Sequence, residues 1–146
     1  MIIIIEGPDG SGKTTLANQL SKQSSYPIIH RVQPKTEHDK KVMLEEYLEV
    51  IRTRRNMIFD RSWYSEMVYG PVMRDSSVIS HHQMYAIESR LAKIGAMIIY
   101  CTNSPEMLWS KCQSRGEQYI TSKEDFLKIC RGFDELFDIP HYIPVV

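Results

Sequence analysis

The 146-residue chain has no excess of either charge sign: 18 Lys and Arg balance 18 Asp and Glu. A general nucleic-acid binder or a membrane-surface binder needs a basic surplus, so neither class fits. Cysteine is scarce. Cys101, Cys112 and Cys130 are an odd, dispersed set without a CxxC pair, which argues against a disulfide scaffold or a structural zinc site and favours a reducing compartment. There is no long apolar run. Met1 is followed by four isoleucines and then by Glu6, too short for a membrane span and without the basic flank of a signal peptide. A cytoplasmic location is the expectation. Linkers, repeats and low-complexity stretches are also lacking, and a chain of this length buries about two-thirds of its unfolded surface in one core. Residues 1–146 are therefore read as a single domain.

What is present alternates short apolar runs with helix-period segments, the pattern of a parallel α/β sheet. Strands are expected at 2–5, 27–32, 57–59 and 96–100, with a fifth at 142–146. Helices are expected from about Lys13, over the stripe Leu44, Tyr47, Leu48 and Ile51, and over 63–69, stopping near Gly70-Pro71. Three more follow: one capped by Ser80 and closed by Gly95, one starting at Ser104-Pro105-Glu106, and one carrying Phe126, Ile129, Phe133, Leu136 and Phe137. Helices on both faces of the sheet make three layers.

The first strand leads into Gly7-Pro8-Asp9-Gly10-Ser11-Gly12-Lys13-Thr14. These residues fit GxxxxGK[ST], which arises by chance in roughly three chains per thousand of this composition. Glycines let backbone N–H groups crowd around phosphate oxygens, and the following helix N-terminus favours an anion. Lys13 suits the β- and γ-phosphates of a nucleoside triphosphate, and the Thr14 hydroxyl suits Mg²⁺. Residues 7–15, Thr15 included, form the expected ATP-binding loop.

In a parallel sheet, ligands collect at the carboxyl ends of the strands. Asp60-Arg61 lies at such an end, after Met57-Ile58-Phe59. The carboxylate suits Mg²⁺, directly or through water, or a base. The guanidinium suits a second phosphate; a strand-capping ion pair is the plainer alternative. Trp63 and Tyr64 follow closely and suit either stacking on a base or packing in the core. His81-His82 lacks a spaced partner for a metal. Residues 111–117 form a charged break between helices, of the kind that closes as a lid.

Taken together, these segments resemble the thymidylate kinases. Residues 5–15 resemble that family's phosphate loop, and Asp60-Arg61 with Ser65 and Val68-Tyr69 resembles its DR(Y)xxSxxAY segment. Ser104-Pro105-Glu106 with Arg115-Gly116-Glu117 is similar to its approach to the lid, and Arg31 with Pro34 is a fainter echo of its REP segment. Ser62 and Gly70 depart from the pattern, and the Phe and Arg that read thymine have no counterparts at the matching spacing. The resemblance implies a P-loop kinase fold with five parallel strands in the order 2-3-1-4-5 and a lid at about 112–122. It implies ATP-dependent transfer to a deoxynucleoside monophosphate, dTMP foremost, with Mg²⁺, and a homodimer whose partners are small nucleotides. Lys13, Asp60, Arg61 and Arg115 would be catalytic. Asp9 would contact the sugar 3′-hydroxyl, while Arg31, Arg61, Trp63, Tyr64, Ser65 and Tyr69 would line the acceptor site, and Thr14 and Asp60 would serve the metal. Loose discrimination among donor bases is also expected, because the chain ends just after the fifth strand. Asp60-Arg61-Ser62 equally resembles the (E/D)RS segment of deoxynucleoside kinases, and a P-loop ATPase is a third reading. The chain has no NKxD segment for a GTPase and no acidic pair of a motor ATPase.

Overall fold

A computed structural model describes residues 1–30, 33–53, 55–116, 120 and 122–146. The strand β1 (Ile2–Glu6) is buried along its whole length, as a run of isoleucines demands when both faces of a sheet are covered. It pairs in parallel with β3 (Met57–Asp60) and with β4 (Ala96–Tyr100), and β3 pairs with β2 (Ile28–His30). Among the described residues the sheet has four strands, ordered β2-β3-β1-β4.

The period of two in β1 divides the interior. Ile3 and Ile5 join Ile58 and Ala17 beneath the helix α1 (Lys13–Ser24), with Leu16 and Leu20 beside them. Ile2 and Ile4 face the larger core with Met57, Phe59 and Ile98. That core is closed by α2 (Glu37–Thr53), α3 (Trp63–Arg74), α4 (His81–Ile94), α5 (Pro105–Ser114) and α6 (Lys123–Asp138). Ser80 and Gln83 form the capping box that starts α4, and Ser104 caps α5 with Pro105 at its first turn. Gly132 of α6 lies so close to α3 that an added Cβ would stand 3.0 Å from the Val68 side chain.

Two expectations are corrected. The tail does not form a fifth strand. It makes one isolated parallel bridge between Ile98 and Val145, with Ile98 N–H donating to the Pro144 carbonyl and Val146 N–H to the Ile98 carbonyl at 2.8 and 2.9 Å. Proline has no N–H, so Pro144 interrupts the ladder there. The second correction concerns α3, which runs through Gly70-Pro71 to Arg74. Glu66 holds the segment beyond the proline, accepting from Arg74 Nη2 at 2.5 Å and from the Val78 N–H at 2.9 Å. Gly70 is required by that return, since a Cβ would stand 2.7 Å from the Ser76 carbonyl oxygen.

The tail is also pinned by a buried polar cluster. Glu88 accepts from Tyr64 OH at 2.6 Å and from the Tyr142 N–H at 2.7 Å. His141 Nδ1 lies 2.7 Å from the same carboxylate, and its Nε2 lies 3.0 Å from the Leu136 carbonyl. Both ring nitrogens face acceptors, so the ring is held as imidazolium. Burial lowers its pKa, yet the hydrogen bonds to Glu88 and Leu136 win and raise it above the ordinary 6.5. The stabilisation is therefore complete below 6.5 and fades as pH rises through the raised value. Urea unfolding at pH 5.5, 7 and 8.5 should show the parent losing its stability advantage over His141→Gln with rising pH; a constant difference would remove the ion pair from the account.

Candidate active site

The loop between β1 and α1 turns on glycines in conformations that side chains resist. Gly7, Gly10 and Gly12 have φ of 143°, 81° and 86°. At Gly7 the constraint is absolute, because a Cβ would sit 1.9 Å from the Cys101 carbonyl oxygen. At Gly10 the loop packs against α5, with Leu108 O and Cys112 Sγ 3.1 and 3.3 Å from where a Cβ would be. The helix α5 ends at Arg115, so the same packing ties the expected lid cation to the loop.

Lys13 is buried and folds back over the loop, donating to the Pro8 carbonyl at 2.6 Å and lying 3.3 Å from Ser11 Oγ. Burial, with the Arg61 charge adding to it, pulls the ammonium down to about 8 against the raising effects of Asp9, Glu6 and Asp60. Thr14 Oγ1 donates to Asp60 Oδ2 at 2.8 Å, and His30 Nδ1 lies 3.2 Å from the same oxygen. The two oxygens assigned to a metal from sequence thus lie side by side.

Arg61 has φ of 71°, a left-handed conformation that costs an arginine roughly 1–2 kcal/mol. Two bonds hold it: its own N–H donates to the Ile5 carbonyl at 3.1 Å, and the next N–H, of Ser62, donates to Glu6 Oε1 at 2.6 Å. The guanidinium is thereby turned across the cleft to Asp9, with which it forms an ion pair. Ser65 Oγ and Tyr69 OH lie 3.4 Å from Nη1, and the Tyr69 ring centre is 5.3 Å from the guanidinium carbon.

Glu6 is the residue that sequence reasoning left out. It is fully buried and accepts from Ser62 N–H and Oγ and from Ser65 N–H and Oγ, at 2.6, 2.8, 3.3 and 2.7 Å. Burial raises its pKa, against the pull of these bonds and of Arg61. A carboxylate ending a buried isoleucine run is an outward sign of such a role, but its partners are 56 and 59 residues away.

Beside Arg61, a narrow cleft lined by Gln33, Met43, Tyr47, Ser65 and Tyr69 opens into a cavity of about 380 Å³ bordered by His30, Lys35, Asp39 and Glu46. Trp63 and Tyr64 do not reach it. Both are fully buried, Trp63 edge-on to Tyr47 and Phe59 and Tyr64 bonded to Glu88, so their assignment as acceptor-site residues is corrected to core. A short helix buried on all sides through its first turns offers no polar face for them. Arg31 lies outside the described residues, as does part of the expected lid, Glu117 to Tyr119 and Thr121. Arg115 is exposed at the end of α5, and Lys123 pairs with Glu106 at 2.9 Å.

Two substitutions test this arrangement. Glu6→Gln sets an amide NH₂ among the four donors and should cost about 2–4 kcal/mol in urea unfolding; a loss under 0.5 kcal/mol would deny Glu6 its anchoring role. Gly7→Ala should abolish triphosphate binding by calorimetry, and binding at the parent's affinity would contradict the close approach to Cys101.

No family model matches the sequence. The chain is 32% identical over 123 residues to the SPbeta prophage-derived uncharacterized protein YorR of Bacillus subtilis, spanning 84% of this chain and 74% of that protein. The crystal structure of YorR from Bacillus subtilis in complex with phosphorylated GDP matches with a TM-score of 0.82 and 30% identity, over 94% of this chain and 80% of the other. Deoxyadenosine kinase from M. mycoides, solved with the products dCMP and a flexible dCDP, matches with a TM-score of 0.66 at 19% identity, over 100% of this chain and 89% of the kinase. Its complex with dATP gives 0.65 at 18%. At these identities the kinase shares the fold alone, and the architecture is that of a P-loop nucleotide kinase-like protein, the coarser part of the thymidylate kinase resemblance. With a third of its residues identical across most of both chains, this protein belongs to the family of Bacillus subtilis YorR.

Proposed function

We propose that the protein is a nucleoside monophosphate kinase, moving the γ-phosphoryl group of a purine nucleoside triphosphate to a deoxynucleoside monophosphate, with dTMP the first acceptor to try. The observation that carries this reading is the state of the carboxylates around Arg61. Glu6 is buried under four donors, Asp9 pairs with Arg61, and Asp60 takes Thr14 and His30. A nucleoside hydroxyl needs a base to remove its proton; Glu6 and Asp60 are engaged by hydrogen bonds, and Asp9 is held by Arg61 until a phosphate takes its place. A phosphate acceptor, with a second pKa near ~6, is already ionised and needs a cation instead. Arg61 is that cation.

The reading implies the following steps. The triphosphate binds in the loop at residues 7–15, with Lys13 released from Pro8 to the β- and γ-oxygens. The acceptor phosphate lies on Arg61, oriented by Ser65 and Tyr69, with Asp9 within reach of the sugar. One acceptor oxygen attacks the γ-phosphorus in line as the bond to the β–γ bridging oxygen breaks, giving two diphosphates. Arg115, at the end of the helix that packs on Gly10, supplies charge to the transferring group. Thr14 and Asp60 would hold Mg²⁺, and adjacent hard oxygens suit it. When bound, the ion neutralises charge on the β- and γ-oxygens. The phosphorylated GDP bound by YorR supports a donor site tolerant of guanine.

A coupled assay should show turnover of one or more of dTMP, dGMP and dAMP with either ATP or GTP, and none of thymidine or deoxyadenosine. Turnover of nucleosides alone would transfer the protein to the deoxynucleoside kinases that share its fold. Arg115→Ala should lower kcat at least tenfold with triphosphate affinity unchanged. Unaltered kcat would take Arg115 out of the site.

Lys13 gives a pH test. Its ammonium titrates at about 8 in the free protein, and phosphate oxygens raise it on binding, so affinity requires proton uptake above that value. Triphosphate affinity should change little below pH 7, drop about twofold by pH 8 and then fall up to tenfold per unit, with Lys13→Ala flat throughout; parallel curves would assign the dependence elsewhere. The implied homodimer would sediment at twice the 17.0 kDa chain mass.

A further inference from the structure

We propose a second nucleotide site at the opposite end of the sheet from the phosphate loop. A cavity of about 680 Å³ opens there, floored by Leu48, Ile51 and Ile94 and ringed by Arg52, Arg55, Arg90 and Lys93. It lies where α2 and α4 run out beside the beginnings of β1, β3 and β4. Met1 and Asn56 complete its lining, Ile2 pairs with Met57 and Ala96, and Ile2 N–H donates to the Gly95 carbonyl. The phosphate loop leaves the other end of β1, so the strand's five residues, roughly 16 Å, separate the two places.

Three observations together point to a ligand. Among the described residues the cavity is lined by four cations and by no Asp or Glu, in a chain whose net charge is zero. Arg52 is paired with Glu49, but among the described residues no carboxylate pairs with Arg55, Arg90 or Lys93. Finally, apolar surface lies open among these cations, with Ile94 44% exposed. Cations often offset the negative end of a helix dipole, and Arg52 and Lys93 sit in the last turns of α2 and α4. That explanation does not reach Arg55, beyond α2, or Arg90, a turn earlier in α4, or the exposed Ile94.

The dimensions and chemistry select the class. The volume falls within the range of small-ligand sites. An apolar floor takes the face of a base, and a ring of guanidinium and ammonium groups takes a polyphosphate, arginine in bidentate fashion. A nucleoside triphosphate combines both parts in one molecule. Binding here needs neither the phosphate loop nor a metal, and it does not depend on the monophosphate kinase reading.

The test removes the first site and asks what remains. The double variant Lys13→Ala, Thr14→Ala should still bind one equivalent of GTP in EDTA by isothermal titration calorimetry. Adding Arg90→Ala and Lys93→Ala, both exposed on α4, should weaken that binding at least tenfold with an unchanged Tm, and Arg55→Ala should do the same independently. The Arg90→Ala, Lys93→Ala pair alone should reduce two binding events in the parent to one. Absence of GTP binding to the Lys13, Thr14 variant would overturn the proposal, as would indifference to all three cations. Inorganic tripolyphosphate binding as tightly as GTP would also overturn it, by making the cavity a polyanion patch without a base site.

Discussion

The buried carboxylate of Glu6 is the junction on which the cleft at the carboxyl ends of the strands is built. A charge taken out of water is tolerated only when hydrogen bonds replace its solvent, and Ser62 and Ser65 replace it with two backbone and two hydroxyl donors. The exchange joins the carboxyl end of β1 to the first turn of α3. Between the two stands Arg61, whose left-handed backbone would be unfavourable without the bonds on either side. The position of the Arg61 guanidinium is thus a consequence of where Glu6 needs its donors. The phosphate loop begins at the next residue, so one carboxylate sets the relation between the two halves of the site.

Charge in the cleft is focused and mutually restrained. Arg61 lowers the affinity of Lys13 for its proton, while Asp9, Glu6 and Asp60 act in the opposite direction. Such a group of partly desolvated charges holds its side chains at defined partners: Lys13 on Pro8, Arg61 on Asp9, Asp60 on Thr14. A polyanion can exchange these internal bonds for bonds to phosphate with little movement of the backbone, which the glycines at 7, 10 and 12 have already shaped. The far end of the sheet is the counterpart. There the cations stand around an apolar floor, with no carboxylate among the described lining residues, so the zero net charge of the chain conceals one positive region.

How much of this was legible depended on the range of the interaction. The loop at 7–15 and the strand and helix around it are written in adjacent residues: positive φ needs glycine, a doubly covered strand needs β-branched residues, and a helix start needs a cap. Ser65 and Tyr69 were named only through the resemblance to the DR(Y)xxSxxAY segment; the structure sets them four apart on α3, with Arg61 just before that helix. Trp63 and Tyr64 misled because two aromatics beside Asp60-Arg61 look the same in sequence whether they stack on a base or pack under Tyr47 and against Glu88. Only the packing of α2 and α4 over them distinguishes these outcomes. The tail misled for a local reason, because the β-forming run around Pro144 lacks the N–H that a ladder requires.

The sequence by itself therefore determined the phosphate loop, the parallel α/β class and the cation at the end of the third strand, because each rests on residues close enough to constrain one another's backbone. Tertiary structure alone decided that Glu6 is an anchor, that two aromatic candidates are core, and that Arg52, Arg55, Arg90 and Lys93 share one cavity. Those outcomes join residues about 16 to 59 positions apart, and the desolvation that gives them meaning exists only once the sheet and its helices have closed.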